Sequence, residues 1–280
     1  MIEFTRGEPL NTPSGIRPAA VSGSFYPADR ETLTRTVDTL LSQIPPPADA
    51  RRPKALIVPH AGYIYSGAVA ACAYARLRAH SGSVARVVLL GPAHRLLVRG
   101  LALPAARHFA TPLGVVDVDP QAAAASLGLP QVVTSDAVHA REHSLEVQLP
   151  FLQRVLGAFR ILPFAVGDAT AAEVAEVIEL LWDDPRTVFV ISTDLSHYLP
   201  YAVARATDRR TVESILALDD RAISGSEACG STPLGGLLRV ARARGLRPEL
   251  LDLRNSGDTA GDREQVVGYA ALIVPDYGHD

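Results

Sequence analysis

The chain has 280 residues, 27 basic and 30 acidic, for a formal net charge of −3; that is enough for one large domain or two small ones. With 48% hydrophobic and 20% charged residues it can bury a core and is not a disordered chain. No basic run marks a nucleic-acid surface, no apolar run reaches the ~18 residues of a membrane span, and with no signal peptide at its start a cytoplasmic protein is expected.

Residues 1–16 read as a flexible N-terminal arm and residues 17–280 as one domain. RPAAVSGSFYP (17–27) is a turn-rich entry with Phe25 and Tyr26 as anchors. Asp29 is placed to cap a helix to about Gln43, with Leu33, Val37 and Leu41 on one face. The apolar run 55–58 reads as a buried strand, ended by Pro59. Ser66 is expected to cap a helix over 68–79. A second buried strand at 84–90 leads to Gly91-Pro92-Ala93-His94, and shorter strands are expected at 100–104 and 113–118. A short helix at 121–127 follows. Residues 141–152 read as a helix, with Pro150 kinking it or in its first turn. After a strand at 159–166, Thr170 and Glu173 form a capping box for a helix to Trp182. The strand 187–192, a helix at 202–218, a helix from about Ser231 to Ala243 and strands at 249–253 and 265–274 complete the chain.

One pattern recurs. His60, His94 and the Asp194/His197 pair each follow a buried strand. Strands alternating with helices predict an α/β sheet, and in such sheets ligands bind beyond the carboxyl ends of the strands. Cys229 sits near a helix start, where backbone N–H groups favour a thiolate. Two histidines and one anionic residue suffice for a catalytic ion with open positions. A carboxylate as third ligand suits Fe(II); a thiolate shifts the preference toward softer ions such as Cu(I) or zinc. Two readings stay open for His143, flanked by Glu142 and Glu146: an acid–base or supporting group, or a helix-start histidine bonded to local carboxylates. Asn255-Ser256-Gly257-Asp258 either lines a pocket or forms a solvated turn. Cys72 reads as core filler, and His80, His108, His139 and His279 as surface or loop histidines.

VPHAGYIYSG (58–67), GPAH (91–94), EHSLEVQLPF (142–151), STDLSHY (192–198), ACGSTP (228–233) and NSGDTAGD (255–262), with the 17–27 segment, occur in that order. Together they resemble the successive blocks of the MEMO family, whose prokaryotic members are also called AmmeMemoRadiSam system protein B. The resemblance covers about residues 17–275. It implies one α/β domain with a central mixed β-sheet flanked by helices, similar to class III extradiol dioxygenases. By motif, His60 and His94 match histidine metal ligands, Cys229 falls where the dioxygenases place a carboxylate, His197 is similar to their acid–base histidine, and Asp194 is a further site residue. The resemblance also implies copper- or iron-dependent redox chemistry, and AMMECR1-like and radical SAM proteins as partners.

Three functions compete at this stage. The first is a metal-dependent redox enzyme acting on a small molecule. The second is a binding module with a vestigial metal site, its crevice holding a peptide against Tyr63, Tyr198, Phe25 and the 255–262 loop. The third is a zinc hydrolase with His197 or Glu146 as base. Three ligand-type groups gathered in a crevice are costly unless something binds them, which favours the first.

Overall fold

Strands buried on both faces read as unbroken apolar runs, and this chain has several. The structure, a computed structural model, describes residues 15–46 and 51–276. In chain order its elements are β1 (Ile16–Arg17), α1 (Arg30–Ser42), β2 (Pro53–Val58), α2 (Tyr63–Tyr74), β3 (Arg86–Pro92), β4 (Leu101–Leu103), β5 (His108–Thr111), β6 (Gly114–Val118), α3 (Pro120–Ser126), β7 (Val132–Thr134), α4 (Asp136–Ala140), α5 (Leu149–Val155), β8 (Arg160–Val166), α6 (Ala171–Trp182), β9 (Thr187–Ser192), α7 (Tyr201–Leu216), α8 (Ser231–Ala243), β10 (Glu249–Asn255) and β11 (Gly268–Pro275). The strands form one mixed sheet of eleven, ordered β1-β5-β6-β8-β3-β9-β2-β11-β10, with β4 attached to β8 and β7 to β4. The five strands β6, β8, β3, β9 and β2 run parallel, while β11 and β10 add antiparallel partners at one edge.

Alternation along each central strand sends side chains into two cores. Leu56 and Val58 of β2, Val87 and Leu89 of β3, and Val188 and Val190 of β9 pack with α1, α2 and α5. Ala55, Ile57, Val88, Leu90, Phe189 and Ile191 pack on the other face with α6, α7 and α8. Helices thus cover both faces of the sheet, giving one α/β domain. Among the described residues no helix is long and apolar enough to cross a membrane.

Several local expectations meet different outcomes. Asp29 caps α1 and the Thr170/Glu173 capping box opens α6, as read from sequence. Ser66 does not cap α2: the helix begins at Tyr63 and Ser66 Oγ donates back to Ala61 O at 2.9 Å. Residues 141–152 are not one helix, because Glu142 and Ser144 are drawn into tertiary hydrogen bonds; only α5 is α-helical, with Pro150 in its first turn. Ile16, at the end of the expected arm, pairs with β5; residues 1–14 lie outside the described residues, as does His279. Cys72 is half-buried and meets Asp252 at 3.6 Å. His139 is not a surface residue. It is 1% exposed, and its Nε2 lies 2.8 Å from Ala102 O.

A buried ion pair ties the entry segment to the domain. Arg17 donates to Glu146 and also to the carbonyls of His139 and Glu142, at 3.0 and 2.5 Å. Glu146 further accepts from Ala20 N, Val21 N and the Tyr26 hydroxyl at 2.7, 3.0 and 2.5 Å. Removing one member of such a pair leaves an uncompensated buried charge, so Glu146→Ala should lose roughly 3–5 kcal/mol in urea denaturation. Burial holds the His139 imidazole down at about 4. The unfolded chain therefore binds the extra proton between the ordinary histidine value and that one, and stability falls as pH drops through this window. Thermal midpoints measured from pH 7.5 to 4.5 should fall, and less steeply for His139→Gln; equal slopes would refute the assignment.

Candidate metal centre

The carboxyl ends of β2, β3 and β9 bring the recurring histidines together. Pro59, which lacks an N–H, ends β2 and places His60 just beyond it. Thr193 and Asp194 continue β9, and Thr193 N donates to Val58 O at 2.8 Å. Cys229 arrives from the segment before α8. Gly230 allows this approach, since a Cβ there would lie 2.7 Å from Thr193 Cβ and 2.8 Å from Ser192 O. His60 Nε2 lies 3.3 Å from Cys229 Sγ. One donor atom each from His60, His94 and Cys229 lies within 4.8 Å of the other two, so the three could hold a metal ion at bond lengths of about 2.0–2.3 Å after small shifts.

Both imidazoles have their second nitrogen committed. Ser192 Oγ donates to Ser144 O at 2.6 Å, so it receives from Gln148 Nε2 and from His60 Nδ1, each at 2.9 Å. Gln148 is itself fixed, because its Oε1 accepts from the Tyr74 hydroxyl at 2.8 Å and its Nε2 also donates to Pro59 O at 3.0 Å. That chain of donors puts the His60 proton on Nδ1 and leaves the Nε2 lone pair facing Cys229. His94 repeats the device with a carboxylate. Its Nδ1 lies 3.0 Å from Glu142 Oε1 and its backbone N donates to Glu142 Oε2 at 2.5 Å. Such partners orient ligating histidines and raise their basicity.

Burial sets the charge states. It presses His60 down to about 3, with the neighbouring His94 charge adding to the effect, and His143 to about 4. Both are neutral bases at neutral pH. Burial alone would raise Glu142, but the bonds from His94 and Ser144 bring it to about 2. Asp194 is raised by burial, and one of its oxygens accepts from His60 N at 2.7 Å. Cys229 corrects a sequence expectation. Burial and then the Asp194 charge push its thiol up to about 12, outweighing the Asp194 N–H that donates to Sγ at 3.3 Å. A bound cation would reverse that balance, since coordination deprotonates a thiol outright.

A cleft of about 600 Å³ opens over these groups, lined among others by His60, His94, His143, Asp194, His197 and Tyr198. His143 stacks on His94 with ring centroids 4.8 Å apart and leans on Phe25 at 4.7 Å. Its Nδ1 is buried without a hydrogen-bond partner. Tyr198 stands at the mouth, 68% exposed, in the left-handed region at φ 56°, a conformation that costs a non-glycine residue energy. Ser256 lines the cleft with Gly261 and Asp262. The other expected lining residues are elsewhere. Asn255 is buried and caps a turn by accepting from Gly257 N. Asp258 accepts from the Tyr201 hydroxyl. The Tyr63 hydroxyl is spent on Val147 O at 2.6 Å. Glu146 is wholly buried among the donors described above, and so cannot serve as a base in the cleft. Sequence reasoning passed over Ser192 and Gln148, whose role rests on a hydrogen-bond chain between distant segments; the polar Ser192 closing the apolar run 188–191 was the available signal.

The fold and site define an α/β protein with a His/His/Cys group that could hold a metal ion. The profile of the Memo-like protein family matches residues 17–273. MEMO1 family proteins of Methanopyrus kandleri, Methanothermobacter thermautotrophicus and Aquifex aeolicus are 39%, 37% and 35% identical to it, over 92% of this chain and 98%, 99% and 98% of theirs. The chain belongs to the Memo-like protein family.

Glu142→Gln keeps the shape beside His94 but removes the carboxylate charge. It should weaken binding of Zn(II) or Fe(II) by roughly 10–100-fold, read by competition with a chromogenic chelator, with the fold intact by circular dichroism.

Proposed function

We propose that this chain is a metal-dependent oxidoreductase in which His60, His94 and Cys229 hold one redox-active ion, iron or copper, and a small organic molecule enters the cleft above it. The observation that carries this reading is the pair of imidazoles whose Nδ1 atoms are already engaged, by Ser192 and Glu142, beside a thiol 3.3 Å from His60 Nε2. A merely structural histidine does not need its free lone pair aimed at a cysteine. When bound, such an ion supplies one-electron chemistry that side chains alone do not. A thiolate ligand favours iron, Cu(I) or zinc over harder ions. The cleft volume of about 600 Å³ falls within the range of small-molecule sites.

The chain's own residues then have distinct tasks. His197 lines the cleft and carries protons to and from the bound molecule. Asp194 holds the His60 backbone with one oxygen and has the other 4.0 Å from His60 Nε2, where it orients a donor group. A zinc hydrolase is the weaker reading, because Glu146, one of the two bases the sequence offered for it, is sequestered, and a thiol in place of a third hard ligand suits hydrolytic chemistry less well. A partner-binding role has separate support in the aromatic groups of the cleft lining left exposed, Tyr198 at 68% and Tyr65 at 40%; a peptide laid across them would cover the cleft.

The test is metal content after anaerobic purification and equilibration with Fe(II), Cu(I) or Zn(II), beside His60→Ala and Cys229→Ser. About one equivalent of iron or copper, lost in both variants, is the expected result. No bound ion under any condition would overturn the proposal. Because the Cys229 thiol is protonated without a cation, uptake at pH 7.5 should release about one proton per ion, and Cys229→Ser should abolish that release.

A further inference from the structure

We propose that the molecule taken by this cleft is an organic carboxylate, whose anionic end is held by Arg95 and Arg141 in a second cleft beside the metal centre. This rests on reading the centre as a substrate site. The second cleft has a volume of about 720 Å³ and meets the first at Arg95, which lines both. Its remaining lining is apolar apart from Arg141: Ala20, Val21, Leu96, Ala137 and Ala140. The backbone N–H groups of Ala20 and Val21 are already spent on Glu146. The polar side chains offered to a ligand there are therefore two guanidiniums, and no acid lines that cleft.

The placement of the two arginines follows from the centre itself. Arg95 directly follows His94, and Arg141 directly precedes Glu142. The two bonds that lock His94 onto Glu142, at 2.5 and 3.0 Å, therefore also bring the two arginine-bearing backbones side by side. Neither arginine has a carboxylate partner among the described residues, whereas Arg17, Arg86, Arg99 and Arg154 each have one. Guanidinium groups match a carboxylate with paired N–H donors. The metal-centre cleft that Arg95 also lines carries Phe25, Tyr65, Tyr198 and Tyr269, which suits a molecule with an apolar body and one anionic end. With that end on Arg95 and Arg141, the body reaches past His94 toward the metal ligands.

The probes are 3-phenylpropionate and its neutral counterpart 3-phenylpropanamide, titrated calorimetrically into the full chain with and without added Zn(II). The carboxylate should bind at least about tenfold more tightly than the amide, the equivalent of one charge-assisted contact. Arg95→Met and Arg141→Met should each remove most of that preference, and Arg141→Lys should restore part of it. Arg247→Met, outside both clefts, should leave it unchanged. Unaltered thermal midpoints would show that the variants fold. Equal binding of the two probes, or a preference that survives both Met variants, would overturn the proposal. So would a preference lost in Cys229→Ser and kept in the arginine variants, since the ion would then be holding the anion. The two readings fail separately: a carboxylate preference without any bound ion leaves this inference standing and removes the metal centre, while a bound ion without the preference does the reverse.

Discussion

The segment from Glu142 to Gln148 is the interaction on which the rest of the site depends. Every second side chain in it is polar and almost wholly buried: Glu142, Ser144, Glu146 and Gln148. Buried polar groups are tolerable only when hydrogen-bonded, and each of these finds its partner on a different part of the chain. Glu142 holds the His94 loop, Ser144 reaches β3 and β9, Glu146 receives the entry segment, and Gln148 joins β2 to β9. Ser144 also explains Gly91, where a Cβ would come within 2.9 Å of Ser144 Oγ. A fully satisfied polar network of this kind fixes geometry more strictly than apolar packing does.

That strictness matters for chemistry. A parallel sheet delivers loops to one edge but leaves side-chain rotation free. Here rotation and tautomer are set by groups that never face the cleft: Ser192 behind His60, and Glu142 behind His94. The two imidazoles reach the centre by different means, one through a neutral hydroxyl and one through a carboxylate. His60 is fully enclosed, whereas His94 keeps 29% of its side chain open to solvent. The outer of the two ligand positions is thus the one with charge behind it.

The cysteine shows how competing effects are weighed. A position just before a helix suggests stabilised negative charge. Desolvation and the adjacent Asp194 carboxylate act against it and win, because both operate inside a region that excludes water. The same enclosure would strengthen the attraction of Asp194 and a deprotonated Cys229 for a cation held there.

The sequence by itself determined the α/β class, most strand positions, the caps of α1 and α6 and the recurrence of histidine after buried strands. These follow from local rules: apolar runs, cap chemistry and proline at strand ends. It also carried the motif blocks by which the family resemblance was read. Only the tertiary structure decided which polar residues face the cleft and which support it. Glu146 and Gln148 stand two residues apart in one motif. One is buried against Arg17, and the other is joined to His60 through Ser192. Asn255 and Ser256 are adjacent, yet one caps a turn and the other lines the cleft. For Glu146 and Gln148 the orientation arises from hydrogen bonds between segments far apart in the chain, 129 residues between Arg17 and Glu146 and 44 between Gln148 and Ser192, and neither periodicity nor spacing encodes them. The fate of the 142–148 segment shows the same limit: its helical pattern is real, but the buried partners of its polar residues outweigh local propensity.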